Sequence, residues 1–308
     1  MGCFKENKIV GIGACVMDTL ITVPNYPKED SKLRAISSKV AGGGPTATGL
    51  VAAQKLGEQA AYIGVLSDDN GGKFLLGDFQ KYGVNTEYID VKAGYRSFAS
   101  TIWLAKDTAT RTCVFDRGNL PALMLNECQK QAIADSAILM VDGNEMDAAE
   151  EGCQYAREHQ TKVLYDCGGL YEGVERILKL TDVMIPSEEF SLGYTGCDNV
   201  SDAAKQLYEQ YHPEVVVVTC GKEGGVIYDG ETCVSYPAFV VEAVDTNGSG
   251  DVFHGAFAAA MVKGYSYPDC CLFASATSAI KCLGIGARES VPSEQDVLAF
   301  LKNRGIEL

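Results

Sequence analysis

The stretch DTNGSGDVFHGAFAAAMV, residues 245–262, runs from a glycine-rich turn into a helix. Asp245 and Asp251 bracket the turn, and Gly248 and Gly250 lie inside it. A helix that begins near Ser249–Asp251 leaves unpaired N–H groups at its first turn, and its dipole favours an anion there. The two glycines let the same backbone curl into a shallow anion nest. Asp251 alone would serve as a plain helix cap. A cap needs neither glycine, however, and a carboxylate beside an anion site carries an electrostatic cost. Both features fit a site where a carboxylate takes a hydroxyl proton while adjacent amides hold a phosphoryl group.

Outward from this turn, strand-length apolar runs alternate with helix-length segments. KIVGIGA (8–14), QAAYIGVL (59–66), AILMVD (137–142), KVLYDC (162–167), DVMIP (182–186) and EVVVVTCG (214–221) have strand character. PTATGLVAAQKLG (45–57), GGKFLLGDFQKYG (71–83), EMDAAEEGCQYAREHQ (145–160) and SDAAKQLYEQYH (201–212) predict helices, with Gly57 and Gly83 as stops. The alternation predicts a mostly parallel sheet with helices on both faces. Residues 19–40 and 95–117 break it. Both alternate polar and apolar residues, and the second turns at KDTAT. They predict antiparallel strands that pair into a small lid beside the main sheet. No repeat, low-complexity tract or linker interrupts residues 1–308. One domain with a lid is therefore expected, where length alone suggests two.

Composition narrows the function. The chain is 46% hydrophobic and 22% charged, enough for a large core and unlike a disordered chain. A net charge of −15 with no basic stripe argues against a nucleic-acid partner. The 12 cysteines form no CxxC pair, and Cys15, Cys113 and Cys282 sit in apolar segments, so reduced thiols and a cytoplasmic location are expected. His159, His212 and His254 lack metal spacing. No apolar run is long enough to cross a membrane. The opening MGCFKE begins like a myristoylation signal but has Glu6 where Ser or Thr is needed.

Other glycine motifs are weaker. GIGACV (11–16) fails the dinucleotide fingerprint, because its third glycine position is Val16, and no Walker pattern occurs. Gly42, Gly43 and Gly44 precede a helix, either as a flexible turn or as a place where backbone approaches a small ligand. Asp18 follows the first strand at the carboxyl edge where such sheets bind ligands, and suits either a cap or a ligand hydroxyl.

DTNGSGDVFHGAF resembles the D-T-x-G-A-G-D-x-F-x-x-G signature of the ribokinase-like (PfkB) carbohydrate kinases, and AGGGPTATGLVAAQKLG resembles that family's amino-terminal Gly-Gly motif. Asp18, the two lid segments and VVVTCGKEGG follow in family order, so the resemblance covers essentially the whole chain. It implies a three-layer α/β/α sandwich with a mostly parallel sheet and a small β-sheet lid. It implies ATP-dependent phosphorylation of a sugar hydroxyl, with magnesium and a monovalent cation such as potassium as cofactors. Asp251 would be the base, and Gly248, Ser249 and Gly250 the anion hole. Asp18, Gly43 and Gly44 would hold the sugar, while Thr219, Gly221 and Gly224 lie along the nucleotide. Asp245 would be the monovalent-cation ligand, and pairing of lids would give a homodimer.

Three departures stand out. Ser249 replaces the usual Ala without changing the amide. Thr48 stands where many members carry a sugar-binding Asn. The N-x-x-E motif linked to magnesium and phosphate reads S-E-E-F at Ser187–Phe190, leaving Ser187 beside the nucleotide and Glu188 or Glu189 to reach magnesium through water.

GGGPTAT, DVFHGAF and FASATSAIKC look most like the sulfofructose kinase branch, whose substrate is a ketose bearing a sulfonate. Lys32 matches a basic residue used there. Phe115 and Asn144 replace a polar residue and an Arg, which argues against sulfofructose itself. Lys32, Arg96, Arg111 and Arg117 keep an anionic sugar open, with solvated strand charges as the alternative. A ketose or sugar acid is the expected substrate. The rivals are a nucleoside kinase of the same fold, with Tyr95, Phe98 or Phe115 against a base, and a non-catalytic sugar or nucleotide sensor. His254, one turn beyond Asp251, has a side chain suited to acid–base work, but Asp251 already fills that position. Trp103 reads as lid packing.

Overall fold

The computed structural model describes residues 8–108 and 110–308, so the myristoylation-like opening lies outside the described residues. Strands β1 (Ile9–Ile12), β2 (Val16–Val23) and β3 (Ser37–Gly43) lead into α1 (Pro45–Lys55). Next come β4 (Ala60–Ser67), α2 (Asn70–Tyr82), β5 (Ile89–Lys92), β6 (Ala99–Ala105) and β7 (Thr110–Asp116). The middle of the chain forms α3 (Glu127–Ala134), β8 (Ile138–Val141), α4 (Met146–Glu158), β9 (Lys162–Cys167), α5 (Glu175–Leu178), β10 (Val183–Pro186), α6 (Glu188–Thr195) and α7 (Val200–Tyr211). Strands β11 (Val215–Thr219), β12 (Gly225–Tyr228) and β13 (Cys233–Tyr236) precede α8 (Ser249–Val262), α9 (Tyr267–Lys281) and α10 (Glu294–Lys302).

Nine strands form one sheet in the order β13-β12-β11-β10-β9-β8-β1-β4-β5. It is parallel from β5 to β11, and the last two strands run antiparallel. The fully buried runs IVGI and ILMV do not alternate because helices cover both of their faces. One helical layer packs Leu50, Phe79, Phe257, Phe273 and Leu301 from α1, α2, α8, α9 and α10. The other packs Ile133, Cys153, Ile177 and Leu207 from α3, α4, α5 and α7. This is the expected three-layer sandwich.

Helix α8 is buried along Val252–Ala260, which explains its small apolar residues on every side. It lies against α1 at two glycines, where a Cβ on Gly255 would overlap the main-chain oxygen of Gly49. The backbones of the two helices therefore touch with no side chain between them.

The residues that broke the pattern form a second sheet, in the order β3-β2-β6-β7. The strands begin earlier than expected in the first segment, at Val16. Each hairpin is antiparallel, but β2 and β6 join in parallel. The expectation of antiparallel pairing fails at that junction because β2 follows β1 and β6 follows β5 by short connections. Both leave the large sheet in the same direction.

Candidate active site

The chain winds outward from β1 to β4 and β5 on one side, then resumes at β8 on the other. The carboxyl ends of β1 and β8 thus form the crevice where open α/β sheets bind ligands. Asp142 follows β8 and ties this point together. Its Oδ2 accepts from Ala14 N (2.9 Å) and Thr46 N (3.1 Å), and its Oδ1 accepts from Asn144 N (3.0 Å). One buried carboxylate thereby fixes the exit of β1, the start of α1 and the loop after β8.

Asp18 caps no helix or turn. It is the third residue of β2, paired with Ala41 and Ser100 across the small sheet. Ser100 Oγ donates to its Oδ1 at 2.6 Å. A Cβ on Gly43 would overlap the Asp18 carboxylate, so the glycine is required there. Gly44 caps α1 with φ +93°, in the left-handed region, and any side chain on it would strike the Ala14 carbonyl. Burial pushes the Asp18 carboxyl up, offset by Ser100 and Arg288, and the Asp251 charge raises it further.

Arg288 went unnoticed in the sequence. It is 1% exposed. Its Nη1 donates to Asp78 Oδ2 (2.6 Å), its Nη2 to the Gly43 carbonyl (2.6 Å) and its Nε to the Thr48 hydroxyl (3.4 Å). A Cβ on Gly42 would collide with it. Thr48 is fully buried in α1 and turned toward Arg288, so its hydroxyl braces the Gly42–Gly44 floor rather than lining the cleft. Thr48, which stands where many members carry a sugar-binding Asn, is thus joined to that floor through Arg288.

Gly248 caps α8 at φ +73°, and Asp251 lies in the first turn. Burial raises the Asp251 carboxyl, while His254 and Arg111 lower it and Asp142 raises it again. Arg111 Nη1, from β7, donates to Asn247 Oδ1 at 3.2 Å, so the small sheet already reaches the glycine turn. His254 is 5% exposed, with Nδ1 at 2.6 Å from the Gly250 carbonyl and Nε2 at 3.0 Å from the Ile185 carbonyl. It ties the nest to the end of β10 and does not face the cleft.

Asp166 Oδ2 lies 3.3 Å from His254 Nδ1. Burial pushes the Asp166 carboxyl up to about 7, against the lowering effect of His254. A carboxyl raised on folding stabilises the protein most below its unfolded value, and that contribution fades as pH rises through 7. Asp166→Asn should therefore raise the melting temperature relative to wild type more at pH 8 than at pH 6. Equal differences at the two pH values, measured by thermal unfolding, would refute this.

A second cluster sits at the ends of β10 and β11. Ser187 bridges to Thr219, whose hydroxyl donates to the Pro186 carbonyl (3.5 Å). Ser187 also caps α6, leaving Glu188 exposed at the helix start. Gly221 has φ +56° with open space around it. Gly224 has φ +85° and packs against the Tyr236 carbonyl, so its glycine is dictated by the backbone. His254 links this cluster to the nest through Ile185.

Arg117 Nη2 donates to the Asn144 carbonyl at 2.9 Å, with its guanidinium over the Phe98 ring. Phe98 and Phe115 meet each other at 5.8 Å, which leaves no open slot between those two rings. Lys32 is exposed on the connection between β2 and β3. Asp245 departs from expectation. Both of its carboxylate oxygens accept main-chain N–H groups, from Asn247 (2.8 Å) and Gly286 (2.9 Å). Its own carbonyl and that of Asn247 accept from Lys281 Nζ. These donors occupy the oxygens a potassium ion would use, so the residues do not fit that cofactor.

Among the described residues no cysteine is in a disulfide, and no helix is long and apolar enough to cross a membrane. A family model described as pfkB family carbohydrate kinase matches residues 6–294. Ribokinase of Haemophilus influenzae is 25% identical over 95% of this chain and 97% of the relative. Ribokinase of Bacillus subtilis is 27% identical over 94% and 98%. The structure of Arabidopsis thaliana ribokinase complexed with ribose and ATP superposes with a TM-score of 0.85, covering 96% of this chain and 99% of that one at 24% identity.

Proposed function

The chain belongs to the pfkB family of carbohydrate kinases, and from that premise we propose that it transfers a phosphoryl group from ATP to a hydroxyl of a small ketose or sugar acid, with Asp251 as base. One observation carries this proposal. Asp18 and Asp251 lie close enough for the Asp251 charge to raise the Asp18 carboxyl, and Asp251 sits in the first turn of α8 directly after the Gly248 cap. Asp18, with Gly43 and Gly44, holds the sugar. Asp251 takes the hydroxyl proton, and the amides of Gly248, Ser249 and Gly250 receive the transferring group. Thr219, Gly221 and Ser187 border the nucleotide. Positioning and charge dominate, because phosphoryl transfer asks little covalent chemistry of the protein.

The small sheet acts as a lid that excludes water, and Arg111 is its contact with the glycine turn. A second copy pairs against its outer face, which carries Val114 of β7, 59% exposed and on the side of the strand opposite Arg111. No group of three or more His, Cys, Asp or Glu able to hold a metal occurs among the described residues. A magnesium ion held mainly by nucleotide phosphates and its own waters would be reached by Glu188 through water. Magnesium there would offset phosphate charge.

The family resemblance to the sulfofructose branch is sharpened by Arg117. Its guanidinium lies against Asn144, so a positive charge stands near the place of the missing Arg. An anionic sugar is the reading this favours, with Arg117 as its partner. A coupled ADP-release screen over neutral ketoses, sugar acids, sugar phosphates and nucleosides tests it. A sugar should be turned over, and nucleoside-only turnover would overturn the assignment. Arg117→Ala should raise KM for the anionic sugar about tenfold or more, the loss of a charge-assisted contact. An unchanged KM would remove Arg117 from the site.

A further inference from the structure

Lys281, the last residue of α9, has no exposed surface. A buried ammonium must be held by hydrogen-bond acceptors or it is strongly destabilising. Here the acceptors are main-chain carbonyls. Nζ donates to Asp245 O at 2.8 Å and to Asn247 O. Both belong to the turn that ends in Gly248. The same turn is fastened to α9 and the segment beyond it at three further points. Val244 N donates to Cys282 O (2.7 Å), Gly286 N to Asp245 Oδ2 (2.9 Å), and Ser278 Oγ to Ser249 O (2.9 Å). Two carbonyls of one turn aimed at one cation is also how protein backbone receives potassium. The difference is that this cation is tethered.

Its place has electrostatic consequences. Burial pulls the Lys281 ammonium below its usual range, and the charges of Asp245 and Asp251 oppose that shift. A positive charge fixed behind the nest acts in a dry environment, where it counts for more than in water. It draws the Asp245 and Asn247 carbonyls backward. The N–H of each of those trans peptide groups therefore points the opposite way, away from the ammonium. A free ion doing this would exchange with solvent and depend on its concentration, whereas a lysine is always present.

We propose that the Lys281 ammonium is the built-in monovalent cation of the phosphoryl turn, occupying the carbonyl oxygens a potassium ion would need, so that this chain works without added potassium. Lys281 is a positioning residue and touches no reacting atom. The catalytic half of the proposal rests on the kinase reading, but the structural half does not. The test therefore reads stability and turnover separately, in potassium, ammonium or tetramethylammonium chloride at matched ionic strength. Wild type should melt at the same temperature in all three salts. Its ADP release on the best sugar should agree within about twofold, as expected when no cation binds. Lys281→Ala should melt higher in potassium or ammonium than in tetramethylammonium. It should lose about tenfold or more in kcat and regain most of it with either small cation. A wild type that gains stability, or about fivefold in turnover, from potassium would overturn the proposal. So would a folded Lys281→Ala that ignores potassium and ammonium in both readouts. If that variant does not fold, the wild-type comparison decides alone. A salt-independent wild type that turns over no sugar would sink the kinase reading and leave the tethered cation standing.

Discussion

Asp251→Asn should lower kcat by at least a hundredfold while leaving ATP binding nearly unchanged. General-base catalysis contributes about 10²–10⁴ in rate, and the amide keeps the shape of the carboxylate without its basicity. The environment of Asp251 sharpens the expectation. Its carboxyl is raised by burial, against the lowering effect of His254 and Arg111, so it is a stronger base than an exposed Asp. Asn cannot reproduce that. The Gly248–Gly250 amides remain, so phosphate recognition should persist. Single-turnover ADP release and nucleotide titration separate the two quantities. Turnover near that of wild type would remove Asp251 from the role of base.

The second large effect concerns stability. Arg288→Met should destabilise the fold by about 3–5 kcal/mol, the usual cost of leaving one partner of a buried ion pair alone. Asp78 would lose its guanidinium partner at 2.6 Å, and the Gly43 carbonyl would lose its donor. Because Gly43 faces Asp18, the surviving folded fraction should also show a raised sugar KM with kcat less affected. Replacing both partners, Arg288→Met with Asp78→Leu, should restore much of the stability, since a well-packed apolar pair often matches a buried ion pair. Sugar affinity should stay weak in the double variant, because the Gly43 carbonyl remains unpaired. Denaturant unfolding of the three variants checks this. An Arg288→Met protein as stable as wild type would show that the network is not structural.

The large sheet was legible because its inner strands are short apolar runs between capped helices. The all-apolar Val183–Ile185 and Val215–Val218 announce burial on both faces. The glycine turn was legible because Gly248 takes a left-handed φ of +73° at the mouth of a helix whose first turn carries Asp251. The hairpin of β12 and β13 was harder to see. Its strands have four residues each, and the turn is set by Asp229 accepting from Glu231 N and Thr232 N. Arg288, Lys281, Asp142 and Asp166 were invisible for another reason. Each is a common residue in an unremarkable local pattern, and its role comes from partners 36 to 245 positions away, or, for Asp166, 88. Thr48 illustrates the converse. Its place in the motif was plain, but only packing shows that it faces an arginine beneath the floor. The monovalent-cation assignment of Asp245 failed similarly, since the motif that suggests it gives no sign of a lysine arriving from α9.

The glycine contact between α1 and α8 divides the protein into what can be redesigned and what cannot. Gly49 and Gly255 allow no insertion between the helix that follows the Gly42–Gly44 floor and the helix that carries Asp251. The spacing between sugar floor and base is therefore a fixed gauge, set by backbone thickness and indifferent to side-chain choice elsewhere. Substrate preference has to be rewritten from the small sheet, on β2, β6 and β7 and on β3 short of Gly42, whose residues can vary without touching that gauge. A library confined to those strands explores new sugars at constant chemistry, while one that includes Gly49 or Gly255 destroys the ruler by which any sugar is measured.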